Sequence, residues 1–259
     1  MPDTAAAMDQ PVSTNVSTDR PSRLRYVVQP VLCVVAVAAA LIYVRVADVD
    51  ESEQRSLGTS TLLTLLREHL VISLIATVLV SVIAIPLGVA LTRGSLRRYS
   101  KPVITVAGFG QAAPAIGLIA LGAAIFGIGR TGAVIALTVY GVLPIVANTV
   151  AGLDGVDVKL IEAARGMGMS AWSTLLRVEL PLALAVIVAG VRTALVLIVG
   201  TAALATFTGA GGLGTLITTG ITLQQNVTLV VGAILVAALA LFIDWLARLL
   251  ELVAAPKGV

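Results

Sequence analysis

Charge is scarce in this chain: Asp, Glu, Lys and Arg make up 12% of its 259 residues, about half the share of a typical soluble protein. That deficit excludes a soluble domain with an ordinary solvated surface. Cysteine is down to one, Cys33, which excludes an intrachain disulfide and a cysteine-based zinc site. Histidine is also down to one, His69, and no G-x-S-x-G nucleophile site accompanies it, so triad and metal chemistry lack their parts. The phosphate-cradling G-x-x-x-x-G-K-[ST] pattern is absent, leaving no P-loop for nucleotide hydrolysis. No solenoid-period repeat is visible. What remains is apolar: 58% hydrophobic residues and a mean hydropathy of +1.03 assign the chain to a bilayer.

The apolar residues gather into runs instead of alternating. A helix crosses the hydrocarbon layer in about 20 residues, and six runs reach that length: 27–46, 70–91, 103–127, 132–152, 182–206 and 228–249. Continuous runs are the wrong pattern for a β-barrel, and helices are the other way to satisfy backbone polar groups in lipid. The expected fold is an all-α membrane protein with six transmembrane helices. Residues 1–25, rich in Ser, Thr, Asp, Pro and Ala, read as a disordered tail. Residues 26–46 read as a retained anchor, because a cleaved signal has a shorter apolar core of about 7–15 residues. Residues 47–61 follow as an extracytoplasmic linker, 62–250 as a five-helix core, and 251–259 as a second tail.

The bases orient these spans. With the N-terminus in the cytoplasm, the cytoplasmic segments hold Arg20, Arg23, Arg25, Arg93, Arg97, Arg98, Lys101, Lys159, Arg165, Arg177, Arg248 and Lys257, against Arg45, Arg55, Arg67 and Arg130 outside. The positive-inside rule therefore predicts both termini inside. The acidic cluster Asp48, Asp50, Glu51 and Glu53 falls outside.

Residues 153–181 then form a cytoplasmic loop, far longer than the roughly 2–8 residues that usually join helices in a bundle. Asp157 to Met167 has helix-forming composition, and Gly168 can end that helix with positive φ. Ser170 is placed to cap a second helix carrying Trp172, Leu175, Leu176 and Val178 on one apolar face. Pro181 is expected to stop that helix and open the next span. Two short helices at a bend make a knob for a soluble partner, or an amphipathic surface for lipid headgroups.

Glu162-Ala163-Ala164, three residues, Gly168, nine residues, and Val178-Glu179-Leu180-Pro181 resemble the EAA loop of ATP-binding-cassette importer permeases, with Val178 where that family usually has Ile. "IPLGVALTR" at 85–93, "GIGRTGAVIALTVYGVLPIVANT" at 127–149, "VELPLALAVIVAGVRTA" and "GAGGLGTLI" are similar to the branch importing glycine betaine, carnitine, choline and proline betaine. Methionine-type permeases share part of this pattern and supply the alternative substrate reading. An ATP-independent channel or secondary transporter needs no such loop.

The resemblance implies a type I importer permease core of five helices behind an added anchor, in the cytoplasmic (inner) membrane of a prokaryote. It implies a second permease subunit, identical or related, two ATPase subunits that bind the ATP, and an extracytoplasmic solute-binding protein. No cofactor in this chain and no nucleic-acid partner are expected. Glu162 would anchor the loop in a cleft of the ATPase, Ala163 and Ala164 would permit close approach, Gly168 would set the bend, and Leu180 and Pro181 would close the motif.

Two glycine stretches, "GFGQAA" at 108–113 and "GAGGLG" at 209–214, match the dinucleotide-binding spacing, but neither follows a strand. Gly209, Gly211 and Gly212 read instead as irregular backbone that packs or gates. Gln111, Pro114, Tyr140, Pro144 and Asn148 put polar groups and irregularities in the third and fourth spans, where they line a path or join helices. Phe109, Tyr140 and Phe207 are aromatic faces for a quaternary ammonium. Arg192, deep in the fifth span, is a gating or structural candidate, and Asp244 is expected to pair with Arg248 one turn on.

Overall fold

The computed structural model describes residues 23–254; of the expected tails 1–25 and 251–259, residues 1–22 and 255–259 lie outside the described residues, while 23–25 and 251–254 are helical. Among the described residues there is no strand. Twelve α-helices follow in order: α1 Arg23–Val46, α2 Glu51–Ser56, α3 Thr59–Leu91, α4 Ser100–Ala112, α5 Ala115–Phe126, α6 Arg130–Tyr140, α7 Val142–Asp154, α8 Val158–Gly166, α9 Ala171–Thr174, α10 Leu180–Ala202, α11 Gly214–Thr222 and α12 Asn226–Ala254.

Among the described residues, five stretches are long and apolar enough to cross a membrane: Val27–Val46, Thr59–Leu91, Arg130–Asp154, Ala171–Thr208 and Asn226–Glu251. The third expected span differs from a straight helix. It is split between α4 and α5, which are bent by 95° and make a sixth span only if counted together. Pro114 is the cause. It has no N–H to continue α4 and drives Ala113 into extended backbone, φ −63° and ψ 142°. The fourth span pauses at Gly141 for a related reason, because Pro144 lies in the first turn of α7 and cannot donate back to Tyr140.

The expected linker is largely helical. Asp50 caps α2 by accepting the Glu53 N–H at 2.7 Å, and the Gln225 amide donates to Ser52 Oγ at 3.0 Å. Leu57 and Leu65 enter a core shared with Leu213, Leu216 and Val231. Burial of these leucines starts α3 at Thr59, before the long apolar run begins. At the N-terminus, α1 lies along α12, where Gln29 donates to the Leu241 carbonyl at 2.9 Å. The C-terminal helix continues to Ala254, past the expected end of the core at 250.

The central packing is α3, α7 and α10. In a bilayer, helices associate through close van der Waals contact, and small residues let the backbones approach. Gly190 shows how close: a Cβ there would lie 2.6 Å from the Asn148 Cβ and 2.8 Å from the Pro144 carbonyl. Ile72, Val80, Ile145, Val146 and Ile198 fill the centre of this bundle, each at most 1% exposed.

Candidate functional site

The 153–181 segment begins with a well-terminated helix. Asp157 caps α8 by accepting the Lys159 N–H at 2.9 Å. At the other end Gly168 has φ +88°, and the Gly168 and Met169 N–H groups close onto the Arg165 and Ala164 carbonyls at 2.9 and 3.2 Å. That is the double bond pattern of a glycine-terminated helix. Ser170 Oγ then accepts the Ser173 N–H at 3.2 Å and starts the next helix.

That next helix does not stop at Pro181. From Ala171 to Thr208 the chain forms one 38-residue rod. A π-turn at Leu175–Glu179 makes this possible, with the Leu180 N–H reaching five residues back to the Leu175 carbonyl. An unbroken α ladder needs an N–H at position 181, which proline lacks; the wider turn accommodates its ring. The expected apolar face is divided between the chain's interior and the surface. Leu175 is 4% exposed, whereas Trp172 and Leu176 are 68% and 46% exposed.

Glu162 and Ala163 point to solvent, as do Arg165 and Gly168. Ala164 is buried, so its small size serves packing within the chain. Leu180 packs on the cluster of Leu153, Val156, Leu175, Ala183 and Ile187, while Pro181 is exposed. Val158, Leu160, Met167 and Trp172 add exposed apolar surface to the knob.

Sequence reasoning missed the brace beneath this knob. Glu179 is 2% exposed, and Arg93, just beyond α3, grips its carboxylate with both terminal nitrogens, Nη1 donating to Oε1 at 3.1 Å and Nη2 to Oε2. Arg97 adds a more exposed contact to Asp154 at 3.2 Å. An acid at the mouth of an apolar span requires a partner; the cluster Arg93, Arg97 and Arg98 was the available signal.

The candidate path residues separate into groups. Asn148 donates within α7 to the Pro144 carbonyl at 2.7 Å and packs on Gly190 of α10, so it serves the contact between α7 and α10. Arg192 Nε donates to Asp244 Oδ1 and its Nη1 to Glu251 Oε2, both at 2.8 Å. Asp244 also accepts from Gln29 at 3.0 Å and from Arg248 at 3.1 Å. Arg192 thus belongs to an ion-pair cluster tying α1, α10 and α12. Phe109 and Phe207 are exposed, at 72% and 56%, and Pro114 is exposed at the α4–α5 bend; Gln111 and Tyr140 are half-buried. Gly209, Gly211 and Gly212 all carry positive φ, +72°, +85° and +90°, in the loop that ends the rod. His69 is buried against the Val199 carbonyl, its Nε2 at 2.9 Å.

Comparison with known proteins matches this architecture to a family. The model of the family described as binding-protein-dependent transport system inner membrane component matches residues 82–252. The glycine betaine/carnitine/choline transport system permease protein OpuCB of Bacillus subtilis (strain 168) is 42% identical over 192 residues, covering 74% of this chain and 88% of that protein. The osmoprotectant import permease protein OsmW of Salmonella typhimurium (strain LT2) is 40% identical over 197 residues, covering 74% and 91%. Among solved structures, the MetNI methionine ABC transporter in an inward-facing conformation is similar with a TM-score of 0.63 and 25% identity, over 73% of this chain and 94% of that one. The chain belongs to the binding-protein-dependent transport system inner membrane components, and is a multi-pass helical permease of the bacterial inner membrane.

Proposed function

We propose that this chain is the translocating subunit of an ATP-driven importer of quaternary-ammonium osmoprotectants, of the glycine betaine, carnitine and choline class. The observation that carries the mechanism is the continuity of the Ala171–Thr208 rod with the knob that holds Glu162. A push on α8 is delivered through the Gly168 turn to a stiff helix, and a rigid element with two arrangements can couple distant sites. Arg93 and Glu179 fix the near end of that rod to α3, so α3 and α10 tilt together. Hydrolysis of ATP resides in a separate ATPase pair that receives Glu162 and the exposed apolar residues around it. This orientation has the knob and both termini in the cytoplasm, as the basic residues favour. A second permease subunit completes the pathway, and a solute-binding protein delivers cargo at the far face. The relatives at about 40% identity transport osmoprotectants by name, which supports that substrate class over methionine.

Reconstitution in proteoliposomes with the ATPase and binding protein tests both parts. ATP-dependent uptake of labelled glycine betaine, carnitine or choline is expected, and uptake of methionine alone would overturn the substrate assignment. Glu162→Gln with Gly168→Ala is expected to leave the protein in the membrane while uncoupling hydrolysis from uptake; undiminished coupling would overturn the role of the knob.

A further inference from the structure

The rod that begins at the knob ends in the glycine loop 209–214, and that loop is fastened from two sides. Arg130, in the first turn of α6, donates from Nη2 to Glu68 Oε1 at 2.7 Å and from Nε to the Ala210 carbonyl at 3.3 Å. Glu68, on α3, accepts the Gly212 N–H on its other oxygen at 3.1 Å. The Gly129 N–H donates to the Thr208 carbonyl at 2.8 Å. One carboxylate and one guanidinium therefore hold α3, α6 and the end of the rod together. The loop glycines fit this approach: a Cβ on Gly212 would lie 3.3 Å from the His69 Cβ, and one on Gly211 would strike the Glu68 carboxylate.

Its exposure distinguishes this cluster from the Arg93–Glu179 brace. The Glu68 and Arg130 side chains are 27% and 53% exposed, against 3% and 34% for Glu179 and Arg93, so the difference lies chiefly in the carboxylate. Ion pairs that water reaches contribute little and reform easily, whereas breaking a buried pair strands a desolvated charge. A permanent fastening belongs in the second setting and a reversible one in the first. We propose that Glu68 and Arg130 form a latch on the glycine loop, closed in this conformation, which must open once per transport cycle at the end of the rod opposite the knob. The proposal rests on the coupling role of α8 given above.

The test uses the complete reconstituted transporter with Cys33→Ser as background. Glu68→Cys and Arg130→Cys, bridged by a short reductant-cleavable bis-thiosulfonate reagent, are expected to lower uptake by at least about tenfold, because a latched state cannot alternate. Reduction is expected to restore it. Bridged transporter that takes up solute as fast as the same sample after reduction overturns the latch. Single Glu68→Gln and Arg130→Gln variants, which need no reagent, are expected to raise binding-protein-independent ATP hydrolysis roughly twofold to fivefold, the range of an exposed ion pair. The double variant is expected to rise no further, as for one shared interaction; no rise, or fully multiplied rises, counts against it. Absence of ATP-driven uptake by the wild-type complex removes the coupling reading and the latch with it. Normal wild-type uptake that bridging leaves unchanged removes the latch alone.

Discussion

Replacing Arg93 by Ala strips the partner from a carboxylate that has nowhere to go. The Glu179 side chain is 3% exposed and the Arg93 side chain 34%, so water reaches the guanidinium and not the acid. Removing one member of a buried pair costs about 3–5 kcal/mol, and the partial exposure of Arg93 puts Arg93→Ala near the lower end of that range. Glu179→Gln is the milder change, about 1 kcal/mol, because it keeps an acceptor in place and leaves a cation that can turn to solvent. Arg93→Leu combined with Glu179→Leu removes both charges, and apolar replacement of a buried pair is often close to neutral. Heating the transporter in lipid nanodiscs and measuring the fraction that remains monodisperse gives the order: Arg93→Ala lowest, Glu179→Gln intermediate, the double leucine variant nearest wild type. A Glu179→Gln protein as labile as Arg93→Ala, or a double variant no better than Arg93→Ala, would refute the reasoning from unequal desolvation.

Two further outcomes follow from backbone geometry. Gly168→Ala meets no atom within 4 Å, so its cost is the left-handed backbone alone, about 1–2 kcal/mol; it is expected to leave expression intact and lower uptake per ATP hydrolysed, measured in proteoliposomes. Gly190→Ala forces a methyl group into Asn148 and the Pro144 carbonyl, an overpacking worth about 1–3 kcal/mol; a clear drop in thermal midpoint is expected, and Gly200→Ala, which meets no atom within 4 Å in the same helix, is the control that does not lower it.

Local features were readable to the extent that they depend on neighbours along the chain. The caps at Asp157 and Ser170, the bend at Gly168 and the Asp244–Arg248 pair all join residues within five positions of one another. Pro114 was visible too, but a run of apolar residues on both sides disguised a 95° bend as one straight span. The divided face of Trp172 and Leu175 was not readable, because it depends on which side of the helix meets Leu153, Val156 and Ile187, and those contacts are set by tertiary packing. Glu68 carried no local signal at all; its partners are 62 and 144 residues away.

Taken alone, the order of residues determined a helical membrane protein, the approximate runs that cross, and a turn-terminated polar segment between two of them, since hydropathy and capping act over a few bonds. Only the tertiary structure decided that this segment is continuous with a 38-residue rod, that Glu179 is clasped by Arg93 across 86 positions, and that Arg192 is neutralised by Asp244 and Glu251. Those pairings follow from which helix faces meet, and helices in lipid meet where small residues such as Gly190 permit close approach.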